Sequence, residues 1–396
     1  MKLLKIYLTI VVLLLSGNYV VEAQTNHSKD ELSKEELYDK VLGSIVGSAM
    51  GDAMGASTEM WSRRDREAAY GFITEPTAPE IEPSAEGVWG RGYPAGATTD
   101  DTRWKQLAGT FVSRNISSFY EEAGPNPTLF ADHILEYYQK ELESLESVKA
   151  EDKELAQRKV NWIVEWAEVS KAYKTGYIDT YSTALSKFYG GYQLTAGILY
   201  GPMMGLPYPG KPEQAYLSAF RLAIFDHGYA RDMTALSAAM TAEAMSSEAT
   251  KESIISVFEA VDPHGFKERR IFSREALETL KRAQYIVSQS QERMEVWKQM
   301  DANLQEVSPH AQEILFLTLA AMIYSDFEFQ ATIEFLVNYG RDNDTTSALA
   351  GSVLGAFHGF EQLPEYKTVV MEVALEVHGI NLQELAKSIT TQILSK

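Results

Sequence analysis

Apolar residues recur three and four positions apart along most of this chain, the period of a helix with one buried face. The spacing predicts helices over 129–145, 155–173, 215–225, 233–245, 275–287, 311–324, 331–339 and 369–377. Two further segments, 37–57 and 347–360, are rich in small residues but keep the same period. No stretch sustains the strict alternation of a half-buried strand, so the expected fold is all-α, built from many helices. Proline and glycine clusters predict loops at 75–96 (Pro76, Pro79, Pro83, Pro94) and 201–212 (Pro202, Pro207, Pro209, Pro212), with a short polar loop at 246–252. The charged segment 141–168 reads as a peripheral helix pair. No linker is long enough to separate two cores, so 36–396 reads as a single domain.

The first residues follow a different pattern. Lys2 and Lys5 precede an apolar run from Ile6 to Leu15, and Val21-Glu22-Ala23 has the small-x-small form of a cleavage site. The run is shorter than the roughly 20 residues that span a bilayer. Residues 1–23 therefore read as a cleaved signal peptide rather than an anchor, and 24–35 as a polar tether. Cysteine is absent, which excludes disulfides, thiolate metal sites, a cysteine nucleophile and a lipid-modified cysteine anchor. The expected location is periplasmic or secreted, with no membrane attachment after cleavage. A net charge of −19 disfavours a nucleic-acid partner. A small anionic ligand remains compatible if metal ions or helix N-termini meet it.

Two helical segments carry glycine at every fourth position: Gly43, Gly47, Gly51 and Gly55, then Gly351, Gly355 and Gly359. Each glycine costs a helix about 1 kcal/mol against alanine, so a glycine stripe implies close backbone approach. Both helices are expected deep in the core, acting as rods whose ends carry chemistry. Near those ends lie Thr99-Asp100-Asp101-Thr102 and Asp342-Asn343-Asp344-Thr345. Helix N-capping explains one such cluster. Two clusters of the same chemistry, one abutting a glycine ladder, favour a shared site. Four carboxylates brought together there need protons or cations, and two divalent ions would balance them. With the Thr99 and Thr345 oxygens the donor set is all oxygen, suited to Mg²⁺, Mn²⁺ or Ca²⁺ rather than Zn²⁺. The seven histidines show no zinc-protease spacing, and no nucleophile elbow or phosphate-binding Gly-Lys-Ser/Thr loop is present. His227 reads equally as a pocket or a structural residue. Trp89, Tyr93 and Trp104 flank the first aspartate motif and are candidates for stacking on a ring or for core packing.

Segments 47–59, 93–102 and 340–355 together resemble the three motifs of the ADP-ribosylglycohydrolase family, in the family's order. The resemblance implies a compact orthogonal multi-helix bundle with a binuclear Mg²⁺ centre, Mn²⁺ being an alternative ion. It implies hydrolysis at the ribose anomeric carbon of an ADP-ribosyl group joined to arginine, serine or a related O-linked group. By position, Thr99, Asp100 and Asp101 match one metal triad and Asp342, Asp344 and Thr345 the other. Glu59 matches the acidic residue that contacts metal or gates the site. Asp100 or Asp101, with Glu59 as the alternative, would take the proton of the attacking water. Asp52, Gly96, Arg103, His227 and Arg341 stand as substrate-contact candidates. The substrate would be a small molecule or a modified protein, and the chain a monomer. Segment 201–205 lacks the asparagine and arginine of the family's diphosphate loop, and Arg103, Arg341 and Asn343 replace common residues. The alternatives are a ribosyl or glycosyl substrate without a diphosphate, and a non-catalytic relative that retains the fold.

Overall fold

Serine at an N-cap with glutamate three residues later is a reciprocal cap, and it starts the first helix of the molecule. In α1 (Lys34–Gly55), Ser33 and Glu36 satisfy each other's backbone amides. The helix therefore takes in Lys34 and Glu35, which the sequence pattern assigns to the tether. The structure is a computed structural model, and it describes residues 32–78, 92–149, 152–268 and 271–396. Residues 32–396 form one compact unit. The segments read as a signal peptide and most of the tether, and Trp89, lie outside the described residues.

After α1 come α2 (Arg63–Tyr70), α3 (Asp100–Phe119), α4 (Pro127–Glu146), α5 (Lys153–Asn161) and α6 (Val164–Lys174). Next are α7 (Ile178–Leu185), α8 (Ala196–Gly205), α9 (Pro212–Leu222), α10 (Ala230–Ala244), α11 (Lys251–Ala260) and α12 (Glu275–Ser288). The chain closes with α13 (Arg293–Asp301), α14 (Ala311–Tyr324), α15 (Phe329–Tyr339), α16 (Asn343–His358), α17 (Lys367–His378) and α18 (Leu382–Ile393). The fold is all-α, and among the described residues the only extended pairing is an isolated bridge between Leu194 and His310. No described helix is long and apolar enough to cross a membrane.

The two glycine ladders pack on each other. Gly43 lies against Gly355, Gly47 against Gly351, Gly51 against Ser347 and Gly55 against Asp344, so α1 and α16 run antiparallel. A Cβ at any of these glycines would sit under 3.0 Å from opposing backbone. The Ser44 and Ser352 hydroxyls share a hydrogen bond of 2.9 Å across the seam. At the far end, half-buried Lys40 donates to the carbonyls of Ala356, Phe357 and Ala244, capping the C-termini of α16 and α10 at once. Because α1 and α16 are covered on nearly every side, they lack the amphipathic stripe of a surface helix.

Two elements depart from the pattern-based expectation. The proline-rich segment expected as a loop from 201 begins inside α8, which runs through Pro202 to Gly205. Gly197, Gly201 and Gly205 form a third ladder, lying on Thr234, Ser237, Ala238 and Thr241 of α10. Close burial on all sides holds a helix that proline would otherwise discourage. The single helix expected over 155–173 is broken between α5 and α6 at Trp162. The break brings both Trp162 and Trp166 onto Trp104, with ring centroids 5.2 and 4.0 Å away.

Candidate functional site

The ladder ends where the chemistry begins. Asp52, in the last turn of α1, is fully buried and both its oxygens are occupied. Oδ1 accepts from the Thr99 amide (2.9 Å); Oδ2 accepts from the Thr102 amide (2.9 Å) and hydroxyl (2.6 Å). Asp52 thus fixes the first turn of α3 from outside that helix. Thr99 is its N-cap and accepts from the Asp101 amide (3.3 Å). The Thr99 hydroxyl donates to Asp344 Oδ2 (3.1 Å), and the Thr345 hydroxyl donates to Asp101 Oδ2 (3.0 Å). The two aspartate motifs, more than 240 residues apart, are thereby stitched together twice. Gly55 lets α16 begin directly against α1, since a side chain there would collide with the backbone of Asp344.

A second link joins the segment after α1 to the segment before α16. The Met60 amide donates to the Arg341 carbonyl (2.7 Å), and the Arg341 amide donates to the Trp61 carbonyl (3.1 Å). Both Met60 (φ 64) and Arg341 (φ 67) are left-handed, a conformation that costs a non-glycine residue on the order of 1 kcal/mol or more. The reciprocal bonds hold them there, and they bring Glu59 and Asp342 to one cavity.

That cavity encloses about 270 Å³. Its lining is of two kinds. Glu59, Asp100, Asp342, Asp344 and Thr345 supply oxygen; Trp166, Phe188, Tyr189, Leu194 and Leu199 supply aromatic and apolar surface. The Trp166 indole donates to the Tyr189 hydroxyl (3.1 Å), which fixes the aromatic pair. Among the described lining residues there is no lysine, arginine or histidine.

Burial dominates the electrostatics. It pushes the Asp342 carboxyl up to about 6, with the negative charge of Asp101 adding to the effect and contacts from Asp344 and Thr345 opposing it. Asp344 is driven well above the usual carboxylate range by burial and by the charges of Glu59, Asp342, Asp101 and Asp52. Asp52 rises to about 6 for the same first reason, despite its three donors. Asp344 Oδ1 is buried with no hydrogen-bond partner. A buried carboxylate oxygen in an acidic surrounding is unfavourable unless a proton or a cation meets it.

The structure sorts the residues singled out from the sequence. Asp100, Asp342, Asp344 and Thr345 line the cavity, as does Glu59. Thr99 and Asp101 stand behind them, tied to them by the bonds above. The five expected substrate contacts do not line the cavity. Asp52 positions α3. Gly96 (φ 91) is a turn glycine beside Val369. Arg103 lies near Tyr137. His227 meets the Tyr192 carbonyl at 3.3 Å. Arg341 turns its guanidinium onto Glu313 (2.7 and 2.9 Å). Tyr93 packs edge-on against His378, and Trp104 is fully buried, so neither flanking aromatic is a stacking platform.

Sequence reasoning missed Lys105 and the aromatic set around Trp166. Lys105 follows Asp101 by one helical turn, a visible i, i+4 pair, and its ammonium meets Asp101 Oδ1 at 2.5 Å with both side chains 2% exposed. Nothing local marks Trp166, Phe188 and Leu199 as neighbours.

Asp226 closes the start of α8 next to the cavity. Its Oδ1 accepts from the Gly197 amide (2.9 Å) and its Oδ2 from the Thr234 hydroxyl (2.7 Å). Burial raises its carboxyl from the usual 3.8 to about 6, and those two donors offset only part of the rise. The folded chain therefore holds a proton at Asp226 between about pH 4 and 6 that the unfolded chain releases, so this contribution to stability falls as pH rises through that window. In urea unfolding with chelator present, wild type should lose more stability between pH 4.5 and 7 than Asp226→Asn. Parallel curves for the two proteins would contradict this.

Comparison with known proteins agrees with this architecture. No curated protein matches the chain significantly. A solved structure described as an ADP-ribosylglycohydrolase-related protein complex superimposes with a TM-score of 0.56 at 19% identity, covering 90% of this chain and 99% of that one. At that identity the likeness is one of fold. The family model described as ADP-ribosylglycohydrolase matches residues 33–394, which takes in all three motifs and every helix of the core. The chain belongs to the ADP-ribosylglycohydrolase family.

Proposed function

We propose that this protein hydrolyses the glycosidic bond at the anomeric carbon of a ribosyl group, with a hard divalent cation, Mg²⁺ or Mn²⁺, held in the acidic half of the cavity. The observation that carries the reading is the buried, unpartnered Asp344 Oδ1 beside Asp342, Asp100 and Glu59. The donor set consists of carboxylates and hydroxyls, which suits such an ion and not a thiophilic one. Asp344, Asp342 and Asp100, with the Thr99 and Thr345 hydroxyls, would hold it. When bound, the ion supplies charge that polarises sugar hydroxyls or a water.

The remaining work falls to the chain. Asp100 or Glu59 accepts the proton of the attacking water, since both carboxylates face the cavity. Asp52 keeps Thr99 and Asp100 in register at the start of α3. Trp166, Phe188 and Tyr189, packed edge to face, give the cavity an apolar wall that excludes water from the reacting bond. Export, as the leader-like first residues suggest, would place this activity outside the cytoplasm.

A second reading of the substrate has its own support. A diphosphate would find no cationic side chain among the described lining residues. The start of α8, a potential anion site, already carries the Asp226 carboxyl on the Gly197 amide. Both features favour a ribosyl or glycosyl compound without a diphosphate. Full-length protein with Mg²⁺ should release reducing sugar from at least one member of a panel spanning ADP-ribosylated peptides and simple ribosides, and chelator should stop it. Release from the simple ribosides alone selects the second reading. No release from any member would end the hydrolase proposal.

A further inference from the structure

The residue in the acidic cluster that the proposed mechanism leaves without a role is Lys105. Its side chain is 2% exposed, and its ammonium meets Asp101 Oδ1 at 2.5 Å. The other oxygen of Asp101 accepts from the Thr345 hydroxyl at 3.0 Å. Both oxygens of Asp101 are therefore engaged, one of them by a full positive charge. Asp52 is likewise saturated by three donors from the start of α3. The carboxylate oxygen that lacks a partner belongs instead to Asp344, which lines the cavity together with Asp342 and Asp100. Asp101, neutralised by Lys105, is thus set apart from Asp344, whose buried Oδ1 has no hydrogen-bond partner among the described residues.

We propose that the Lys105 ammonium takes the place of one of the two divalent cations, so that this site binds a single divalent ion per chain, on the Asp342–Asp344 side. The inference rests on the metal-dependent reading above and narrows it. A second divalent ion ligated by Asp101 would have to displace the ammonium, share its oxygen, or take the other oxygen from the Thr345 hydroxyl and so sit beside the ammonium on the same carboxylate. Displacement would strand a buried lysine charge, because the side chain is enclosed and Asp101 is its ion-pair partner. Either of the other two would set a dication against an ammonium on one carboxylate in a poorly screened interior. A site with a resident, non-exchanging cation also keeps the Thr345–Asp101 bond that ties α16 to α3 in the metal-free protein.

The test is a count of bound ions. Full-length protein is titrated with Mn²⁺ alone, and bound metal is measured by equilibrium dialysis and by electron paramagnetic resonance. Wild type should saturate at one Mn²⁺ per chain, with the spectrum of isolated ions. Lys105→Ser, which removes the ammonium and offers an oxygen in its place, should saturate at two and show spin coupling between neighbouring ions. Lys105→Gln, with closer to the native volume, serves as the second variant, and thermal melting shows that each variant folds. Two coupled ions in wild type would overturn the assignment, as would a single ion in both folded variants. Sugar release is measured separately on the same samples. Two ions with hydrolysis would sink the Lys105 assignment alone, whereas one ion without hydrolysis of any substrate would sink the hydrolase reading alone.

Discussion

Asp344→Ala is expected to reduce kcat/KM by roughly 10³-fold or more, the scale of loss when a group that stabilises reaction charge is removed from a water-poor site. Asp344 sits in the first turn of α16 with one oxygen on Thr99 and the other without a partner. Removing it deletes a ligand of the proposed cation and one of the two bonds between the aspartate motifs. Mn²⁺ affinity should therefore collapse together with turnover. Stability should respond in the opposite sense when no metal is present. The variant loses a buried carboxylate that is repelled by Glu59, Asp342, Asp101 and Asp52. Its urea midpoint in chelator should equal or exceed that of wild type, and Mg²⁺ should no longer raise it. A variant that keeps wild-type turnover with chelator present would show that Asp344 serves no metal, and the mechanism would fall with it.

Gly47→Ala should be strongly destabilising, as a single methyl set in the middle of the α1–α16 seam. The added Cβ would fall on the Gly351 carbonyl, with Gly355 Cα 3.2 Å away. Both neighbours are backbone atoms of a helix, so no rotamer change can relieve the overlap. The two rods must separate, and the seam that includes the Ser44–Ser352 bond opens with them. A loss of about 3 kcal/mol is expected, at the upper end for overpacked cores. Gly109→Ala is the matching control. Its new methyl would meet only the side-chain tips of Ile389 and Leu385 at 3.2 Å. There the gain in helix propensity, up to about 1 kcal/mol, offsets a small repacking cost. Equal chemical-denaturation midpoints for the two variants would show that the α1–α16 contact is looser than described.

The same seam ties stability to the site. Gly55 belongs to the ladder and abuts the backbone of Asp344, while Asp52 one turn earlier holds the start of α3. Packing of α1 on α16 therefore sets the distance between the two aspartate motifs. Chemistry placed at the ends of rigid buried helices gains positional precision that a loop-borne site lacks.

The sequence by itself determined the helical content, because the three-to-four spacing of apolar residues has one regular solution, and α14 was read to the residue. It also determined that the two glycine stripes lie deep in the core, since seven helix-weakening residues need a close-packing reason. The two aspartate motifs were legible as partners through their shared composition and their positions at rod ends. Tertiary structure alone decided the rest. Amphipathic periodicity says nothing about a helix enclosed on all sides, so α8 and its glycine ladder were hidden behind the prolines of a supposed loop. Charge type says nothing about direction. Arg341, Arg103 and His227 carry suitable chemistry, yet their side chains turn to Glu313, toward Tyr137 and to the Tyr192 carbonyl. Which carboxylate holds the Lys105 ammonium, and which keeps an oxygen without a partner, depends on distances of a few ångströms between α1, α3 and α16. Those distances are fixed by how three separately coded helices pack, and no local stretch of sequence contains them.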